Sequence, residues 1–285
     1  MATNIDTLIR TVTNDFVEGM EKSGEFARRN IIGLVRELDV NEDGTLIATD
    51  RNSSLIQGVS IGIQQVTASF AFENRVDKVV NSIPDIRKAV ERNFIVQHGI
   101  IKGETIPILN NLQTRVENDM EQILSAQTIE NEIHQPVSDI TQQLILGNFS
   151  QEKAIDFVNE KVPNLFTQFA HVRVDTTLQQ YSRSITQILA EQEGLIWFKY
   201  SGPTGPTSLG NHIRDFCDDH VDQVWLKAEI EQWPQQNWDG KIPSTNSFTI
   251  FQNLGGYNCR HDLTPVAAKD VPQSSIDRAK RNGLL

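Results

Sequence analysis

Residues 166–203 read FTQFAHVRVDTTLQQYSRSITQILAEQEGLIWFKYSGP. Phe166, Phe169, Ala170, Val174, Leu178, Tyr181, Ile185, Ile188 and Leu189 recur at three- and four-residue steps, which gathers them on one stripe of a helix reaching about Gln192. Gly194 breaks the pattern. LIWFKYSG then alternates and is rich in aromatic residues, which predicts a strand. This change of texture sets the expected fold class: mainly α, with a long-helix amino-terminal region over 1–194 and a small α+β carboxy-terminal module over 195–268. The polar residues 269–285 are expected to form a tail that orders only against a partner.

Toward the amino terminus the helical spacing returns at Ile5, Leu8, Ile9, Val12 and Phe16, with Thr3 or Asn4 available as N-cap. It recurs at Phe26, Ile31, Leu34 and Val35, and again from Ile108 and Leu109 through Leu112, Val116, Met120, Ile123 and Leu124. Another helix is expected from about Pro136 to Leu146, ended by Gly147. Ser150 then caps a short helix that should stop before Pro163, because proline lacks the N–H that a helix interior needs. Toward the carboxy terminus GPTGPTSLG reads as a loop, and NHIRDFCDDHVDQVW and KAEIEQW read as short helices.

With 37 acidic residues against 26 basic ones and a formal charge of −11, the chain is not built to coat nucleic acid, which requires clustered lysine and arginine. No apolar run approaches the roughly 20 residues of a membrane span, and the start lacks the basic-then-apolar order of a signal peptide. Two cysteines cannot form a disulfide framework, so reduced thiols are expected.

Both cysteines lie in polar clusters with a histidine nearby. Cys217 and His220 are three apart on a predicted helix, and Cys259 and His261 are two apart on an extended turn. Two such pairs fit tetrahedral zinc. The preferred expectation is nevertheless no bound cofactor, with buried thiols in a hydrogen-bonded cap and Arg260 on Asp215 or Asp218; a Cys217–Cys259 disulfide and a cysteine nucleophile activated by histidine are the further alternatives. No oxyanion hole or third orienting group is recognisable beside the Cys–His pairs, so no enzyme is expected. A second candidate lies in DVNEDGTLIATD, where Asp39, Asn41, Asp43, Gly44, Leu46 and Asp50 occupy positions of a calcium-binding EF-hand loop. Asp50 replaces the usual glutamate, which weakens calcium or favours magnesium. An Asp-, Asn- and Gly-rich turn explains the same residues without an ion.

From about residue 145 onward the order of features resembles the phage Mu F-type head morphogenesis proteins, also termed minor head or minor capsid proteins. Arg173, Asp175 and Thr176 fall at the first motif, Gly194 and Trp197 at the second, Arg214, Asp215 and Cys217 at the third, and Asn258, Cys259, Arg260 and His261 at the last. The commoner form of the family has histidine where Cys217 stands and cysteine where His261 stands; His220 has no dependable counterpart. The resemblance implies a structural virion component, assembled in the host cytoplasm, that joins the head in multiple copies beside the portal protein and other head proteins. Trp225, Trp233, Trp238, Phe248 and Phe251 are candidate interface anchors, with packing inside the module the expected use of most of them. Rival readings are an internal ejection or DNA-contacting protein, resting on Arg278, Lys280 and Arg281, and a metal-dependent or Cys/His enzyme.

Overall fold

The computed structural model describes residues 5–55, 70–146, 149–204 and 213–285. It is mainly helical, with a long-helix amino-terminal region and a three-stranded antiparallel sheet near the carboxy end. The principal helices before the sheet are α1 (Ile5–Glu37), α2 (Phe70–His98), α3 (Thr105–Ile123), α4 (Gln135–Leu146), α5 (Gln151–Phe169) and α6 (Thr176–Gln192). The expected stripes are mostly inward: Ile9, Phe16, Ile31 and Val35 of α1 and Leu109, Val116 and Met120 of α3 are buried. Phe26 and Ile108 depart from this and are exposed. Thr3, Asn4 and Gly147, the expected caps, lie outside the described residues, as does most of the predicted GPTGPTSLG loop.

Helix α2 was not marked by the sequence reading, although Val79, Ile83, Ile86, Val90 and Phe94 supply its buried stripe and Pro84 sits within it. The expected stop before Pro163 is corrected. Ser150 caps α5, its hydroxyl accepting from the Lys153 N–H at 3.4 Å, but the helix continues through Pro163 to Phe169 and then by a π-helical turn, Ala170–Asp175, into α6. An interior proline costs about 3 kcal/mol. Val158, Val162 and Phe166 are fully buried and Phe169 nearly so, at about 1.5–3 kcal/mol each, which outweighs that loss.

Strand β1 (Trp197–Ser201) is the centre of the sheet, antiparallel to β2 (Val224–Leu226) and β3 (Asp262–Val266). Phe198 faces Trp225 on one side and Pro265 on the other. The two-residue period sorts its side chains. Phe198 and Tyr200 join a core with Phe216, Trp233, Phe251, Leu254 and Leu263, whereas Trp197 packs with Val224, Leu226 and Ala279 on the opposite face. β2 corrects the expectation of one helix through NHIRDFCDDHVDQVW. The helix there, α7, covers only Asp215–His220; Asp222 takes a left-handed conformation (φ +60°), and the β-prone Val224-Trp225-Leu226 then pairs with β1.

The tail is also corrected. Gln273–Arg281 forms helix α8, ordered against the protein's own sheet through buried Ala279 and the neighbouring Ile276. Two compact units divide the described chain. One contains residues 5–10, 83–116, 175–204 and 213–285; the other contains 11–55, 70–82, 117–146 and 149–174. Gly194, at φ +66°, therefore marks the end of α6 within the first unit, which spans the boundary drawn from the change of texture.

Candidate metal centre

The first unit brings Cys217, Cys259 and His261 together, all buried, with their ligand atoms within 4.8 Å of one another. Cys217 comes from α7, while Cys259 and His261 come from the loop that enters β3. Cys259 Sγ stands 3.8 Å from His261 Nδ1. Tyr200, fully buried on β1, donates its hydroxyl to Cys217 Sγ at 3.3 Å and lies 3.9 Å from Cys259 Sγ. Its ring stacks parallel to that of His261, with centroids 5.0 Å apart.

The tautomer of His261 follows from its other nitrogen. Nε2 is 3.0 Å from the Pro203 carbonyl, which can only accept, so Nε2 carries the proton and Nδ1 presents a lone pair toward Cys259. Such a bond is how metal-ligating histidines are held. The three side chains are thus a group able to hold a metal ion.

Two glycines let the backbone close around them. A Cβ on Gly255 would lie 2.3 Å from Cys217 Sγ and 3.0 Å from Cys259 Sγ, and one on Gly202 would lie 2.4 Å from the His261 ring. Arg183 of α6 completes the surroundings. It is buried, and its guanidinium donates to the carbonyls of Cys259 and Gln252 and to the Asp262 carboxylate. The hydrogen bond from Cys217 and the nearby Arg183 charge hold Cys259 well below the ordinary thiol range despite burial, while the same bond and burial push Cys217 up. Burial, then the neighbouring sulfur charges, pushes Tyr200 well above the usual phenol value.

His220 stands apart from this group, which corrects the four-residue set. Its Nδ1 bonds the Phe216 carbonyl and its ring packs among Phe216, Trp225 and Trp233; burial lowers its pKa. The expected Arg260 bond to Asp215 or Asp218 is absent among the described residues. Arg183 and Arg214 tie the loop instead, Arg214 donating to the Tyr257 carbonyl at 2.8 Å. Asn258, left-handed at φ +55°, donates its N–H to Thr176 Oγ1 at 3.3 Å, so the first and last motifs meet. Asp215 opens α7, where its charge favours the helix N-terminus, and Asp175 is buried just before α6. Arg173 belongs to the other unit and pairs with Glu132.

The loop at residues 39–50 closes on its own bonds. Asn41 Oδ1 accepts from the N–H groups of Asp43 (3.1 Å) and Thr45 (2.8 Å), Gly44 supplies φ +73°, and the Asp39 carboxylate is engaged by Arg51 and Thr49. Asp39, Asp43 and Asp50 do not converge as an ion-binding group. Of the expected aromatic anchors, Trp233 and Phe251 are core, Trp238 stacks on Phe216 and Trp225 lies under Arg278; Phe248 is 84% exposed. Arg278 is occupied by Glu229, whereas Lys280 and Arg281 are exposed. No described helix is long and apolar enough to cross a membrane.

The sequence reading missed Tyr200, Arg183, Gly202 and Gly255. The glycine doublet directly before Tyr257-Asn258-Cys259 was the available signal; Tyr200 and Arg183 read as ordinary members of a strand and a helix. No family model, no curated protein and no solved structure matches the chain.

Proposed function

We propose that this protein is a minor head component of a phage particle, associated with the portal during assembly, and that zinc on Cys217, Cys259 and His261 pins its carboxy-terminal module. The observation carrying this reading is the convergence of segments far apart in sequence. Thr176 bonds the Asn258 backbone, Arg214 bonds Tyr257, and Cys217 lies beside Cys259. Tyr257 apart, these are positions that carry the resemblance to Mu F-type head proteins.

The residue chemistry favours zinc. Two thiolates and an imidazole with a fixed tautomer are borderline-to-soft donors, and the oxygen-rich set that calcium or magnesium requires is lacking at this group. Every ligand is buried, which shields a metal at this group from a substrate in solution and favours a structural role. The module therefore serves as a rigid docking element in a multi-copy assembly.

The test is co-expression of the tagged chain with head and portal proteins of the particle it belongs to. Retention on a portal ring, with stoichiometric zinc by elemental analysis, is the expected result. Purification free of any portal while the folded chain carries an enzymatic turnover would overturn it. Salt-sensitive retardation of duplex DNA, weakened by Lys280→Ala and Arg281→Ala, would favour the DNA-contacting role instead.

A further inference from the structure

We infer that Tyr200 supplies the fourth ligand of this centre, making a closed Cys₂–His–Tyr site for a zinc-class dication; the inference rests on the zinc reading above. Three protein ligands leave one tetrahedral corner to fill. His220, the sequence-based candidate, is committed to the Phe216 carbonyl and the aromatic cluster. Tyr200 Oη lies within hydrogen-bond range of both sulfurs.

The spacing of these atoms is compatible with a shared metal. With Zn–S about 2.3 Å, Zn–N about 2.05 Å and Zn–O about 2.0 Å, tetrahedral geometry separates a sulfur from an oxygen or nitrogen ligand by about 3.5–3.6 Å. The measured edges are 3.3 Å (Tyr200 Oη to Cys217 Sγ), 3.9 Å (Tyr200 Oη to Cys259 Sγ) and 3.8 Å (Cys259 Sγ to His261 Nδ1). All three lie within a few tenths of an ångström of that range.

The surrounding bonds hold each donor in place. Pro203 fixes the ring of His261, whose stacking on Tyr200 holds the two rings parallel. Cys217, Cys259 and Tyr200 bind M²⁺ as anions, each giving up to solvent any proton it carries, so that the site has three anionic ligands and one neutral one. The dication and the adjacent Arg183 guanidinium together offset those three charges.

The test uses the full chain stripped of metal and titrated with cobalt(II) as the probe, then with zinc. Wild type should bind one cobalt with the intense visible bands of a tetrahedral thiolate site and, on metal addition, show the ultraviolet difference absorption of a tyrosinate. Tyr200→Phe should lose that difference band and bind at least about tenfold more weakly. X-ray absorption of zinc-loaded wild type, expected to report two sulfur and two lighter neighbours, requires no variant to fold. Tetrahedral binding without a tyrosinate signal, at an affinity unchanged in Tyr200→Phe, would overturn Tyr200 as ligand and leave the zinc reading standing. Failure of wild type to bind either metal would overturn both.

Discussion

Arg278→Ala tests how the carboxy-terminal helix is held. Glu229 is buried, its side chain 4% exposed, and its carboxylate accepts from Arg278 Nε (2.8 Å) and Nη2 (3.0 Å), the Leu226 N–H (3.0 Å) and Asn282 Nδ2 (3.3 Å). An exposed ion pair is worth about 0–1 kcal/mol, but stripping the partner from a buried charge costs about 3–5 kcal/mol. Arg278 also donates to the Val224 carbonyl and covers the Trp225 ring at 3.9 Å, so the upper part of that range is expected. The assay is urea unfolding, with amide exchange across residues 273–281 to register release of α8. Adding Glu229→Gln to Arg278→Ala removes the stranded charge and should restore about 1–3 kcal/mol. Burial opposes ionisation of Glu229, but Arg278 and the Leu226 N–H overcome it and hold its pKa below the usual carboxylate value. The pair's contribution is therefore complete above the unfolded-chain value of about 4.3 and disappears as pH falls through the lower folded-state value. A loss under about 1 kcal/mol at neutral pH, or strict additivity in the double variant, would refute the reasoning.

Gly255→Ala should destabilise the protein by about 1–3 kcal/mol in thermal unfolding and speed Cys217 labelling by a thiol reagent, because the new methyl overlaps the space held by Cys217 Sγ. Gly33→Ala, with nothing within 4 Å of the added methyl, is the control and should be neutral or stabilising by up to about 1 kcal/mol. Asn41→Ala should cost about 1–2 kcal/mol through loss of its bonds to the Asp43 and Thr45 N–H groups, measured by urea unfolding. Calcium should leave the wild-type melting temperature unchanged; a calcium-dependent rise would restore the EF-hand reading of that loop.

Local periodicity made much of the architecture legible. The stripe from Phe166 to Leu189, the Ser150 cap and the alternating Trp197–Ser201 strand are written in nearest-neighbour chemistry, and each occurs in the structure. Pro163 and Val224–Leu226 were misread because long-range burial and pairing with β1 outweigh local preference. The same division applies to the candidate centre. Cysteine and histidine announce ligand chemistry by residue type, so Cys217, Cys259 and His261 could be named in advance. Tyr200 and Arg183 matter only because β1 and α6 deliver them to the thiols, a tertiary fact that no spacing rule contains. His220 had suitable spacing, yet its imidazole turned to a carbonyl one helical turn earlier.

The order β2-β1-β3 also limits how copies or neighbours can join this module. One margin of the sheet is a strand of only three residues, and the other contains Pro265, which has no amide hydrogen to offer. Short margins and proline-bearing ones are poor templates for a donated strand. Growth by continuous backbone pairing is therefore disfavoured, and a ring built from this chain would be joined through side chains and helix surfaces, leaving each subunit's sheet as a closed three-stranded unit.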